Sequence, residues 1–271
     1  MQINNETLIV SMTSWPKRIS FVEKAMFSLM QQTADKDLYH IVLVLCDKEF
    51  PNKENDLPEN LRLMLDNNVF EIIWTDRNIR SHKKLMPTLA KYPNNPILVC
   101  DEDILRPNDW LSYFIKDHKE YPNDILVGGC LFDVCFEQNG RFNPTKKHYF
   151  DRPEFAGKII KNRRPANGFG GVLYPAGTFT DPRFFDIDLL MNLSEYSDES
   201  WQYCFNIIEG RTLRWISKIY NYDSYIQRES FKTAMCIMRD KYKTIPSYPE
   251  IYNKLINYFP EFKEKLMEKL K

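Results

Sequence analysis

Apolar and polar positions along the first hundred residues follow two distinct periods. Residues 8–12, LIVSM, form a short apolar run that predicts a strand. Between residues 21 and 32 the apolar positions Phe21, Val22, Ala25, Met26, Leu29 and Met30 recur every three or four residues, which predicts a helix with Ser20 as its N-cap. Residues 41–46, IVLVLC, are apolar throughout, as expected of a strand buried on both faces. Residues 57–65 predict a short helix opened by Pro58, 69–74 a third strand, 83–91 a helix and 97–100 a fourth strand. This alternation predicts a parallel, doubly wound α/β sheet. Such sheets bind ligands beyond the carboxyl ends of their strands, which here means residues 13–18, Asp47, 75–78 and 101–103.

The second half is less regular. A helix is expected over 109–118, strands over 125–127 and 172–174, and a helix over 198–209 capped by Ser197. Residues 128–164 read as loop. The lysine-rich tail, 248–271, reads as helix broken at Pro260.

Composition narrows the function classes. With 43% apolar and 14% aromatic residues, a packed globule is expected. Lys plus Arg equals Asp plus Glu, 37 each, so overall charge gives no reason to expect a nucleic-acid partner. None of the six cysteines forms a CxxC pair, and Cys46 and Cys100 close apolar runs as reduced thiols would. The opening residues lack the pattern of a signal peptide, and no apolar run nears the ~18 residues that span a bilayer, so a cytoplasmic location is expected. The tail's Leu255, Ile256, Phe259, Phe262, Leu266 and Leu270 form an apolar set among lysines, fit either for packing on the domain or for peripheral contact with a membrane.

Asp101-Glu102-Asp103 carries the most chemical information. In extended chain Asp101 and Asp103 would face one side and Glu102 the other. Two converging carboxylates favour a cation between them, and hard oxygen ligands suit Mg2+ or Mn2+. A polar turn after a strand is the alternative. Asn167-Gly168-Phe169-Gly170-Gly171 permits close backbone approach to a ligand, or forms a tight turn. Asp198-Glu199 opens a helix, as a cap or as the source of a general base for a hydroxyl. The four histidines have no metal-ligand spacing.

Taken together, KKLMPTLAKYPNNPILVCDEDILRPNDW, VSMTSWPKRI, GFGGVLYPAG and SDESW resemble, in order, segments of bacterial polysaccharide glycosyltransferases of the GT-A fold, the capsule and lipopolysaccharide type. The matches run from Val10 to Trp201. Glu102 stands where that family often has a third aspartate, and Arg106 where it often has an aromatic.

The resemblance implies a GT-A-like Rossmann-type sheet continuous with a smaller acceptor-side region. Residues 1–240 would form one domain, with 1–105 the nucleotide-sugar half and 106–240 the acceptor half, followed by a helical tail at 241–271. It implies a nucleoside-diphosphate sugar donor, with uracil the frequent base, and a glycan acceptor. Thr13, Arg18, Asp76, Lys84, Asp101, Glu102, Asp103, Gly170 and Gly171 would contact the donor, and Trp201 the acceptor. Asp101, Asp103 and His148 would hold Mn2+ or Mg2+, and Asp198 or Glu199 would act as base in an inverting transfer. A retaining transferase of similar fold, a non-catalytic nucleotide-sugar or glycan-binding module and a metal-dependent phosphotransferase remain as alternatives, the last disfavoured by the lack of a P-loop or kinase signature.

Overall fold

The computed structural model describes residues 3–129, 131–136, 142–149, 153–160, 166, 168–242 and 244–268, with 131–136 and 142–149 described by their backbone. Strand β1 (Leu8–Thr13) leads through α1 (Ile19–Met30) to β2 (Tyr39–Cys46), through α2 (Glu59–Asp66) to β3 (Glu71–Thr75), and through α3 (Met86–Lys91) to β4 (Ile97–Val99). β1 pairs in parallel with β2 and β4, and β2 with β3. This is the doubly wound half that the apolar pattern predicts. Successive residues of β2 feed two cores: Val42 and Val44 join one cluster, Ile41, Leu43 and Leu45 the other.

The chain continues with α4 (Trp110–Glu120), β5 (Ile125–Val127), β6 (Leu131–Phe136), β7 (Phe142–Tyr149), β8 (Val172–Tyr174), α5 (Ile187–Ser194), α6 (Asp198–Ile208), β9 (Leu213–Trp215), α7 (Met235–Lys241), α8 (Tyr248–Tyr258) and α9 (Pro260–Glu268). The main sheet has the order β3-β2-β1-β4-β8-β5-β9. β8 is antiparallel to both β4 and β5, while β5 and β9 are parallel. β6 and β7 form a separate antiparallel hairpin.

Several local expectations change. Helix α1 starts at Ile19 with Arg18 in the cap position, so Ser20 lies inside the helix rather than capping it. The expected helix over 83–91 is a 3-10 turn, Arg80–Lys84, followed by α3, whose second residue is Pro87. The hairpin lies within a stretch expected to be loop, because β7 contains Pro144 and mostly polar residues. Ser197 caps α6 as expected, its hydroxyl accepting from Ser200 N.

Pro260 opens α9, a position where its missing N–H costs nothing. Leu255, Ile256, Phe259, Phe262 and Leu266 are buried in the cluster that contains Trp201 and Phe205. The rings of Phe259 and Phe205 lie 5.3 Å apart. The tail's apolar face therefore packs on α6 instead of facing a membrane, and Leu270 lies outside the described residues. No described helix is long and apolar enough to cross a bilayer.

Glycines decide how β8 enters the sheet. Gly170 and Gly171 cross Gly128 and Gly129 backbone to backbone. A Cβ on Gly170 would sit 2.4 Å from Gly129 N, and Gly171 has φ +91. The Gly170 carbonyl accepts from Trp110 Nε1 at 3.0 Å and from the Tyr222 hydroxyl at 3.1 Å. Gly170→Ala should cost about 1–3 kcal/mol through overpacking. A lowered urea midpoint would show this, and an unchanged one would mean that the crossing has slack.

Candidate functional site

The carboxyl end of β4 delivers three acids to one place. Glu102 and Asp103 lie in a turn, not in extended chain, so the predicted alternation of side chains does not hold. Asp101 goes one way, with its Oδ1 2.8 Å from Lys84 Nζ. Glu102 and Asp103 go together. Arg18 Nε donates to Glu102 Oε1 at 2.5 Å, and Arg18 NH2 lies 2.7 Å from Asp103 Oδ2. Burial penalises the Glu102 carboxylate more than Arg18 relieves it, which pushes its pKa up to about 7.

The 3-10 turn after β3 buries Lys84, whose side chain is 5% exposed, between Asp101 and Asp198. Burial works against the ammonium, but Asp101, Asp198 and Glu199 outweigh it and hold its pKa well above the usual value. Asp198 Oδ2 is 3.0 Å from Nζ, so the two are ion-paired. Burial would raise the Asp198 pKa, but Lys84 reverses the effect and keeps the acid ionised.

Glu199 is half-buried, and desolvation beside the Asp198 charge raises its pKa. The Ser197 hydroxyl donates to its Oε2 at 3.1 Å. His82 is buried and its pKa is lowered by that burial; its Nε2 donates to Ser194 O at 2.9 Å. Two carboxylates on one helical turn thus acquire opposite character: the Asp198 pKa is held low and the Glu199 pKa is raised.

The other candidates fall into different places. The Thr13 hydroxyl donates to Val44 O at the end of β1, and Asp76 is exposed just past β3. Gly170 and Gly171 serve the backbone crossing, and the Gly170 carbonyl is already engaged. Gly168 comes nearer the acids: a Cβ there would meet Lys84 Nζ at 2.8 Å and Asp101 Oδ1 at 3.0 Å. Trp201 is 0% exposed and donates from Nε1 to Phe184 O, so it is a core residue and presents no face to an acceptor. Asn167 and the side chain of His148 lie outside the described residues.

The carboxylates suit a hard cation in part. Asp101 Oδ1 is held by Lys84 and Asp103 Oδ2 by Arg18, while Asp101 Oδ2 and Asp103 Oδ1 have no partner among the described residues. By type, free carboxylate oxygens suit a hard cation such as Mg2+ or Mn2+. No group of three acids, histidines or cysteines that could hold a metal occurs among the described residues. Surface hollows lined by Leu38 and Ile115, and by His40 and Trp74, share no residue with this network.

Several further residues surround this network. Arg106 donates to Asp101 O and Phe169 O and lies over the Trp110 ring, joining the acidic turn to the glycine segment. At the ends of β1 and β2, Ser14 Oγ and Asp47 Oδ1 are buried without a hydrogen-bond partner among the described residues. Beside them buried Lys83 donates to Glu49 Oε2 at 2.6 Å, and Asn78 to Glu49 Oε1 at 2.8 Å. The strand-end rule points at Asp47; only coordinates reveal Glu49 and Lys83.

No protein-family model matches the sequence, and no curated protein matches it. Solved structures do match in shape. The S. aureus TarS fragment 1–349 in complex with UDP superposes with a TM-score of 0.53 at 14% identity, over 93% of this chain and 71% of that one. The GalNAc-T7 complex with UDP, GalNAc and Mn2+ gives 0.51 at 12% identity, over 97% of this chain and 50% of that one. The fold is GT-A-like. In this GT-A-like frame the acidic turn, Arg18, Lys84 and the start of α6 meet where an α/β sheet binds ligands.

Lys84→Met should destabilise the protein by about 3–5 kcal/mol, because it leaves Asp198 buried and unpaired. Adding Asp198→Asn should restore part of that loss. Chemical denaturation of the three variants checks this, and equal stability of Lys84→Met and wild type would contradict the ion pairing.

Proposed function

We propose that the chain is a nucleotide-sugar glycosyltransferase. It moves a sugar from a nucleoside diphosphate, with UDP the favoured donor, to a hydroxyl of a glycan. The observation that supports this best is the meeting of the Asp101-Glu102-Asp103 turn with Asp198 and Glu199 around one buried lysine, in a fold similar to two UDP complexes.

In this reading Ser14, Asp47 and Asn78 lie on the nucleoside side, at the ends of β1 to β3. Asp101 Oδ2 and Asp103 Oδ1 would hold Mn2+ or Mg2+. When bound, the cation supplies neutralisation of the charge on the leaving diphosphate. Lys84 keeps Asp198 ionised and holds both Asp101 and Asp198 in place. Glu199 takes the proton from the acceptor hydroxyl as its oxygen bonds to the sugar C1 and the bond from C1 to the diphosphate breaks, which inverts the anomeric centre. Its raised pKa brings it nearer neutral pH, as a general base requires. Asp198, locked to Lys84, is assigned to positioning. A capsule or lipopolysaccharide acceptor and a cytoplasmic location agree with this reading.

Binding tests it first. UDP should raise the melting temperature, with Mn2+ needed for most of the effect. A ligand at a hundredfold excess over its Kd stabilises by ~2.7 kcal/mol, or on the order of 2–4 °C per kcal/mol for a chain of this size. A melt unmoved by UDP, GDP, CDP and dTDP, with and without Mn2+, would sink the proposal.

Catalysis tests it next. Glu199→Gln should lower kcat by ~10²–10⁴-fold with donor affinity kept. Because the base must be deprotonated, the wild-type rate should rise with pH to a point above the ordinary carboxylate range. Product stereochemistry by NMR distinguishes inversion from retention. A rate unaffected by Glu199→Gln would remove the base assignment.

A further inference from the structure

A strap from the far end of the chain closes over the acidic turn. Leu105 N donates to Tyr225 O and Gln227 N to Asp103 O, both at 2.9 Å, on either side of an antiparallel bridge between Ile104 and Ile226. Gln227, itself buried, donates from Nε2 to Glu102 O at 3.2 Å and to Phe21 O at 2.9 Å. The strap then turns, and Ser230, 1% exposed, donates from Oγ to Asp103 Oδ2 at 2.7 Å. Arg18 NH1 donates back to Ser230 O and Thr233 Oγ1, each at 3.2 Å.

Asp103 Oδ2 is therefore fixed by two donors of different kind, the Arg18 guanidinium and the Ser230 hydroxyl. A guanidinium alone can take either oxygen of a carboxylate, or both at once. Adding a hydroxyl on a buried, bridged strap picks one oxygen and locks the rotation of the carboxylate about its Cβ–Cγ bond. Asp103 Oδ1 is then left without a partner among the described residues, and the side chain keeps 17% of its surface exposed.

We infer that Ser230 is a positioning residue for Asp103: it ties Oδ2 so that Oδ1 alone is presented to a divalent cation and diphosphate. This rests on the glycosyltransferase reading, and it extends the donor site to a segment more than a hundred residues from the acidic turn. A hydroxyl that orients a ligating carboxylate acts on affinity for the ion rather than on the fold. Changes to such outer partners typically shift metal affinity by roughly 10–100-fold.

The test is titration calorimetry with Mn2+ and UDP together as the probe, backed by Mn2+ electron paramagnetic resonance and thermal melts. Ser230→Ala should weaken Mn2+-dependent UDP binding about tenfold or more, while Ser230→Thr, which keeps the hydroxyl, should stay within about threefold. Ser230→Cys fills the same space with a weak donor and should also bind poorly, which covers the case in which the alanine variant folds badly. Thr233→Val removes a strap contact to Arg18 without touching Asp103 and should leave Kd within about threefold. A lowered melting temperature in Ser230→Ala with unchanged Kd would overturn the inference, as would equal weakening by Thr233→Val. Failure of the wild type to bind Mn2+ and UDP would remove the function reading itself, and this inference with it. Wild-type binding with an insensitive Ser230→Ala would remove the inference alone.

Discussion

Buried charge must be paired, and that constraint organises this molecule. Asp101, Glu102, Asp103 and Asp198 converge where the sheet ends, and Lys84 and Arg18 form ion pairs among them. An isolated buried carboxylate would lose its hydration with no return. Each cation therefore serves two acids. Lys84 joins the turn after β4 to the start of α6, and Arg18 joins the turn to the cap of α1. Elements far apart in sequence are held together by the need to neutralise one another.

The same constraint explains what the structure does to the sequence reading. Arg18 and Lys84 suit an anionic ligand by residue type, and both are instead engaged by the chain's own carboxylates. Asp101 and Asp103 belong to one motif yet attach to different cations, because the backbone turns at Glu102. Spacing rules for extended chain cannot anticipate that turn. Long apolar periods, in contrast, were readable: β2 is buried nearly throughout and α1 has a clear helical stripe, so tertiary context had little to override. α5 and β9 are not among the elements predicted from the sequence. Trp201 shows the limit of residue type. An indole beside two acids resembles a sugar platform, and this one sits in an aromatic core with Phe184, Phe205 and Phe259.

The candidate site was legible where chemistry is concentrated in a short string, as in Asp101-Glu102-Asp103 and Asp198-Glu199. It was illegible where function depends on juxtaposition. Ser230 is an ordinary serine in an irregular segment, and nothing near it in sequence marks it as a partner of Asp103. The Arg106 guanidinium bridges two backbone carbonyls and covers Trp110. It thereby ties the acidic turn to the glycine segment.

The antiparallel placement of β8 has a consequence for how the chain is made. Once residues 8–99 have emerged from the ribosome, β3, β2, β1 and β4 can pair among themselves, since all their contacts are parallel and lie within that stretch. At that moment β4 is an open edge, and it carries Ile97, Leu98 and Val99, all apolar and all buried in the finished molecule. Its cover, Val172–Tyr174, lies more than seventy residues further along the chain. An unpaired apolar edge is a template for pairing with other chains. The nascent protein thus passes through a window in which its half-built sheet is adhesive, and the three residues of β8 end it.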